Sequence, residues 1–335
     1  MNSMRPRRVA ALTAVSVAVV GLLAVRAVAS VGGCGQRGHA GRNASAVRTS
    51  LATKTTRATT PLRGAAYDAL VLKGKPVAYW RMAGRIRERD LTGNGHGGIY
   101  KGGRPGTALM PNGDRAADFN GTTEYLRVPS SAAFSIRTTK RLTWEGWIRP
   151  DVLQFPTGSK GYVDWLGKCA NYAPTCEWEA RIYNSNNPQG RCSRLSAYAF
   201  NPTAGLGSGA YWQGACGLMQ PGRWLFVVGE YQIVSTPSGC SSTYPGTIDV
   251  WVNGIKWDMK AHLPTGCMSQ YKVSPKSGNS PLTVGTMARD YWFQGGIGKV
   301  AVYNRLLSSA EISRHYSSMT GVRRAGRCSS VCTFG

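Results

Sequence analysis

The sequence predicts an all-β protein: two antiparallel sheets packed face to face as a sandwich, with one or two short helices at the periphery. Three observations point there. About a dozen short apolar runs alternate with period two, each bounded by Gly, Pro, Asn or Ser. The 42 glycines and 17 prolines supply turns at the density that short strands need. Ten tryptophans within 42% hydrophobic residues supply a large core. The 335 residues would allow two domains, but one large sandwich uses the chain as well.

Residues 1–29 read as an export signal or membrane anchor. Arg5, Arg7 and Arg8 precede an uncharged run over residues 9–25, and Ala27-Val28-Ala29 is a small-x-small cleavage pattern. The run sits at the short limit for spanning a bilayer, so an uncleaved anchor is the second reading. Val31-Gly-Gly-Cys34 has the outline of a lipoprotein cleavage box, although Arg26 intervenes. Residues 30–65 have the composition of a basic, disordered linker without apolar periodicity or acids. Ten of the 41 Lys and Arg precede Tyr67, so the rest of the chain holds 31 basic and 16 acidic residues, a net charge of +15. Such a field favours anionic polymers and surfaces at low salt.

The sandwich is expected over residues 66–320. A helix over 67–73 is stopped by Gly74 and Pro76. Strands follow over 77–82, 116–119, 125–128, 142–148, 162–166, 178–183, 195–200, 224–233, 248–252, 255–257, 282–284 and 299–303. Asn253-Gly254 marks a two-residue hairpin, because both residues accept the positive φ of a type I′ turn. Ser308-Ser-Ala-Glu311 is a capping box that starts a helix to about Tyr316, placed to cover an end of the sandwich. The first and last strands are expected side by side. Residues 321–335 form a short tail with a cysteine pair.

Nine cysteines in an exported chain indicate disulfides. Cys34 lies in the linker. The other eight, Cys169, Cys176, Cys192, Cys216, Cys240, Cys267, Cys328 and Cys332, allow roughly a hundred pairings. Sequential pairing is expected, since each pair then closes a loop between strands. Zinc is disfavoured by the absence of Cys-x-x-Cys and by only four His.

The segments PVAYWRM, DLTGNGHGGIY, AADFNGTTEYLRVP, LTWEGWIRP, PGRWLFVVGEY, IDVWVNG and GGIGKVAVYNRLLSSAEI, in that order, resemble the laminin G-like domains of secreted bacterial proteins, within the concanavalin A-like lectin/glucanase superfamily. The resemblance spans roughly residues 67–320 and implies a jelly-roll sandwich. Some members hold a structural calcium, and Asp90 and Asn94 match the loop involved. No cofactor is required, and calcium is disfavoured because Lys299 stands in the last strand where relatives carry acids.

The resemblance implies a non-catalytic recognition module, secreted or at the cell surface, that binds carbohydrate. Two alternatives stay open: a glycoside hydrolase of the same fold, and an adhesion protein that holds anionic wall polymer or a protein partner through its basic surface. A hydrolase needs two carboxyls about 5 Å apart for a retaining mechanism. Glu177 and Glu179 share a strand face, but Arg181 stands where a third acid would, so a solvent-facing charged edge explains them better. Glu177, Glu179, Arg181 and Tyr183 on one strand, with Arg194, Ser196 and Tyr198 on the next, define a polar outer face able to cradle a sugar. Tyr211, Trp212 and Trp292, in loop-like contexts beside glycine, are further binding candidates. No nucleic-acid partner is expected, and membrane contact is confined to the N-terminal segment.

Overall fold

The computed structural model describes residues 63–155, 161–170, 175–187, 194–200, 207–213, 219–233, 246–257, 277–287 and 291–322. The predicted signal, nearly all of the linker, Cys34, Cys192, Cys216, Cys240, Cys267, Cys328 and Cys332 lie outside them.

Helix α1 (Arg63–Lys73) leads into β1 (Ala78–Trp80), β2 (Arg87–Glu88), β3 (Gly98–Lys101), β4 (Gly106–Leu109), β5 (Arg115–Asn120) and β6 (Tyr125–Val128). A short helical turn, α2 (Ile136–Thr139), precedes β7 (Arg141–Pro150), β8 (Tyr162–Lys168), β9 (Trp178–Tyr183), β10 (Arg194–Phe200) and β11 (Gly207–Gln213). Then come β12 (Leu225–Gln232), β13 (Thr247–Val252), β14 (Ile255–Trp257), β15 (Leu282–Val284), β16 (Thr286–Met287), β17 (Tyr291–Trp292), β18 (Gln294–Tyr303) and α3 (Ser309–Thr320).

Two eight-stranded antiparallel sheets result. Sheet A runs β14-β13-β12-β7-β18-β5-β4 with β1 also against β18, and sheet B runs β11-β10-β9-β8-β15-β6-β3-β2. The expected pairing of first and last strands is present, with Ala78 opposite Val302 and Trp80 opposite Val300. Asn253 and Gly254 take φ of 53° and 81°, the conformation that the β13–β14 turn demands. Ser308 caps α3, its hydroxyl accepting from Glu311 N while the Glu311 carboxylate accepts from Ser308 N.

The core between the sheets follows the alternation. Leu142, Trp144 and Ile148 of β7 meet Val163, Trp165, Leu166, Trp178 and Ile182 of β8 and β9. Trp144 and Trp165 meet edge to face at 5.3 Å and 87°, a geometry that adds about 1 kcal/mol beyond area burial. Gly229 faces Trp144 so closely that a Cβ there would lie 2.2 Å from the indole.

A second core forms on the opposite face of sheet A, where Trp147, Phe226 and Val228 meet Tyr67 and Val71 of α1 and Ile312 and Met319 of α3. Trp147 stacks on Tyr316 at 5.9 Å and 7°. The terminal helix therefore covers a sheet face and not an end of the sandwich. The alternate positions of β7 explain this: Trp147 is apolar, and Glu145 is matched by His315 at 2.8 Å and by the Tyr303 hydroxyl at 3.0 Å. The central strands of sheet A, β7, β12 and β18, are thereby buried on both faces.

Candidate functional site

The polar face expected around β9 and β10 exists, but it is not open to solvent. Glu177 and Glu179 are fully buried, and Arg181, Tyr183, Ser196 and Tyr198 are nearly so. What covers it includes the β16–β17 hairpin, whose Tyr291 stacks on Tyr162 at 5.2 Å and 6°, with Met287 buried beside it. The expectation of a solvent-facing edge is corrected: alternation separates the two faces of a strand but does not say whether the second one is covered.

Glu179, Arg181, Tyr183, Arg194 and Tyr198 are nevertheless brought together. The Arg181 guanidinium ion-pairs with Glu179 and lies 3.7 Å from Asp164 of β8. It also lies 3.8 Å from the centroid of the Tyr198 ring and 4.5 Å from that of Tyr162, a cation–π sandwich. Arg194 sits 5.5 Å from the Tyr183 ring. Burial raises the Asp164 carboxyl well above the usual carboxylate range, and the adjacent Glu179 raises it further. Burial raises Glu179 as well, against the pull of Arg181. These are features of an internal charge cluster, buried from solvent.

Glu177 does not join that cluster. Its carboxylate accepts from Lys168 Nζ at 2.6 Å and from Gly278 N at 2.8 Å, and Lys168 in turn donates to Gly278 O at 2.6 Å. This buried pair ties the segment before β15 to the ends of β8 and β9. The Cys169–Cys176 disulfide, one of the expected pairs, closes the same corner. Tyr211 and Trp212 lie on β11, opposite Ser196 and Leu195, and their side chains fall outside what is described. Trp292 belongs to β17 and not to a loop; its ring packs edge-on against Tyr125 at 5.8 Å.

In the loop that resembles a calcium site, the acidic side chain is engaged by the loop's own donors. Asp90 accepts from Tyr79 N at 3.1 Å, Thr92 N at 3.0 Å, Thr92 Oγ1 at 2.8 Å and His96 N at 3.0 Å, which engages both oxygens. Asn94 donates to Val77 O at 3.0 Å. The last-strand lysine takes φ of 53° at the break in β18 and projects its ammonium between Asp68 and Asp114, 2.7 Å from each.

One accessible cavity lies at the other end of sheet B, a depression of about 540 Å³ over β2, β3 and β6. Period-two alternation and the strand register build it. Arg87 of β2 stands opposite Ile99 of β3, and Ile99 stands opposite Arg127 of β6, so two guanidinium stems flank one aliphatic floor residue. Lys101, two residues beyond Ile99, faces Tyr125, and Arg89 lines the same wall. Gly97, Gly98 and Pro129 complete the lining. The 90–96 turn that Asp90 holds forms one rim.

Arg87, Arg89, Lys101 and Arg127 are all exposed, and none of them forms an ion pair among the described residues. Glu88 is the sole acid in the lining among the described residues. It is buried, with its carboxylate turned to Met82 N, Gly84 N and the Tyr100 hydroxyl, and burial raises its pKa. Sequence reasoning missed this site, because a two-residue strand shows no period.

The two antiparallel sheets and their jelly-roll strand order define a β-sandwich of the concanavalin A-like class. The chain belongs to the concanavalin A-like lectin/glucanases superfamily, whose laminin G-type family model matches residues 120–313. No curated protein matches it in sequence. Among solved structures, it is similar to the binding domain of Paraclostridial Mosquitocidal Protein 1, with 15% identity, 74% of this chain and 53% of that one covered, and a TM-score of 0.52. It is also similar to domain 4 of AbnA, a GH43 extracellular arabinanase from Geobacillus stearothermophilus solved with arabinotriose (16% identity, 72% and 98% covered, TM-score 0.45). A third is the binding domain of botulinum neurotoxin DC in complex with SialylT (12% identity, 73% and 51% covered, TM-score 0.47). The chain spans about half the length of the two toxin-type domains. At these identities the likeness is one of fold.

Proposed function

We propose that the protein is a non-catalytic recognition module that acts outside the cell or at its surface and binds carbohydrate. The observation that carries this reading is the β2–β3–β6 cavity: it is open, it is rimmed by a hydrogen-bonded turn, and exposed Arg and Lys donors stand around an apolar floor. Sugar sites combine such features, a flat apolar contact for the ring and charge-assisted bonds for its substituents. The superfamily supports the reading by class. The Cys169–Cys176 disulfide supports an oxidising compartment.

A hydrolase needs a carboxyl pair facing its substrate, and the pair that sheet B brings together, Asp164 and Glu179, is buried beside Arg181. The test is a glycan array probed with the full chain, followed by a reducing-end assay on every sugar it retains. Retention without cleavage is the expected result. Cleavage, or no retention of any glycan, overturns the proposal.

A further inference from the structure

We infer that the β2–β3–β6 cavity selects an acidic saccharide, a sugar unit bearing carboxylate or sulfate groups, over neutral sugars. The inference rests on the carbohydrate reading above and names its ligand class. Four exposed cations line one depression, and the one acid there spends its carboxylate on backbone amides and a tyrosine hydroxyl. A neutral ligand would leave all four guanidinium and ammonium groups uncompensated at close range, whereas an anionic one relieves their mutual repulsion as it binds.

Geometry narrows the class further. Arg87 and Arg127 are one strand apart on either side of Ile99, so their stems rise roughly 10 Å from each other. Guanidinium groups favour anions that offer two oxygens to their fork, as the planar carboxylate and the tetrahedral sulfate both do. Between them Ile99 gives an apolar floor. Next to them Tyr125, opposite Lys101, is half-buried and braced by Trp292, which makes it a platform on which the apolar face of a sugar ring can lie. Two arginine forks over the Ile99 floor, with the Tyr125 ring beside the cavity, suit a charged ring better than a featureless polyanion, which needs no apolar contact.

The experiment compares three proteins on an array that holds neutral, uronic-acid and sulfated oligosaccharides, with inorganic polyphosphate as a non-sugar polyanion. They are the full chain, Arg87→Gln/Arg127→Gln, and the charge-matched control Arg137→Gln/Arg141→Gln, whose positions are exposed and outside the cavity. All the substitutions are on the surface, and matching thermal melts verify folding. Acidic sugars are expected to bind the full chain and the control, with affinity falling roughly tenfold or more for each cavity arginine removed. Equal binding of neutral sugars, unchanged in the cavity variant, would overturn this inference and leave the carbohydrate reading intact. Polyphosphate binding as tightly as the acidic sugars would overturn the saccharide selectivity. Silence toward every sugar would overturn the carbohydrate reading along with it.

Discussion

Lys299→Met tests whether the lysine of the last strand acts as the internal cation of the fold. Its ammonium is 2% exposed and 2.7 Å from both Asp68 and Asp114, while Asp68 is 6% exposed and Asp114 27%. Methionine keeps an unbranched stem of similar reach and removes only the charge. Breaking a buried pair from one side costs about 3–5 kcal/mol, because the abandoned carboxylate stays desolvated. Asp68 would retain Arg81 Nε at 2.5 Å and the Tyr79 hydroxyl, and Asp114 reaches water, so the loss belongs near the lower end, about 3 kcal/mol. For a domain of this size that lowers Tm by about 6–12 °C. Urea unfolding followed by tryptophan fluorescence should show a lower midpoint at unchanged slope, and Lys299→Met/Asp68→Asn should lose less than the sum of the single variants. A single-variant loss below about 1 kcal/mol, or strict additivity, would refute the assignment.

Three further outcomes are expected. Burial pushes Glu230 up to about 7, against hydrogen bonds from Trp251 and Leu307 N, so the folded state holds this proton more tightly than the unfolded chain does. Its contribution is therefore greatest below about pH 4.5 and fades as pH rises to 7, by on the order of 3 kcal/mol, and Glu230→Gln should flatten that part of the stability–pH curve. Replacing both Cys169 and Cys176 by Ser opens an eight-residue ring and should cost about 2.5 kcal/mol in denaturant, with no free thiol at these positions in the parent by mass spectrometry after alkylation. Gly229→Ala should destabilise by about 1–3 kcal/mol in the same unfolding assay, since its Cβ would intrude on Trp144 and a packed indole has no room to retreat.

The strands that build the core were legible because bulky residues alternate in them: β6, β9, β14 and β15 fall on the expected residues, and β7 and β12 lie within two. The capping box and the Asn-Gly turn were legible because each is a local hydrogen-bonding or dihedral requirement. Strands β2, β3 and β4 were not, since Arg, Glu and Gly carry little apolar signal and tertiary pairing alone makes them strands. The cavity was hidden with them, because Arg87, Ile99 and Arg127 are scattered in the chain and meet only through register. The opposite error came from β9 and β10. Their polar positions look solvated in sequence, yet Tyr162, Tyr291 and Met287 close over them, and the covering hairpin consists of two strands of two residues each.

Strand β18 pairs with β1, β5 and β7, so the last strand of the chain occupies the middle of sheet A. During synthesis, β1 has no partner in sheet A, and the β5–β4 and β7–β12 pairs stay unjoined, until residues 294–303 have been made. Such late closure of distant contacts slows folding and keeps the growing polypeptide open. Without residues 294–303, sheet A stays in separate pieces, so the sandwich cannot close around its core before β18 is in place.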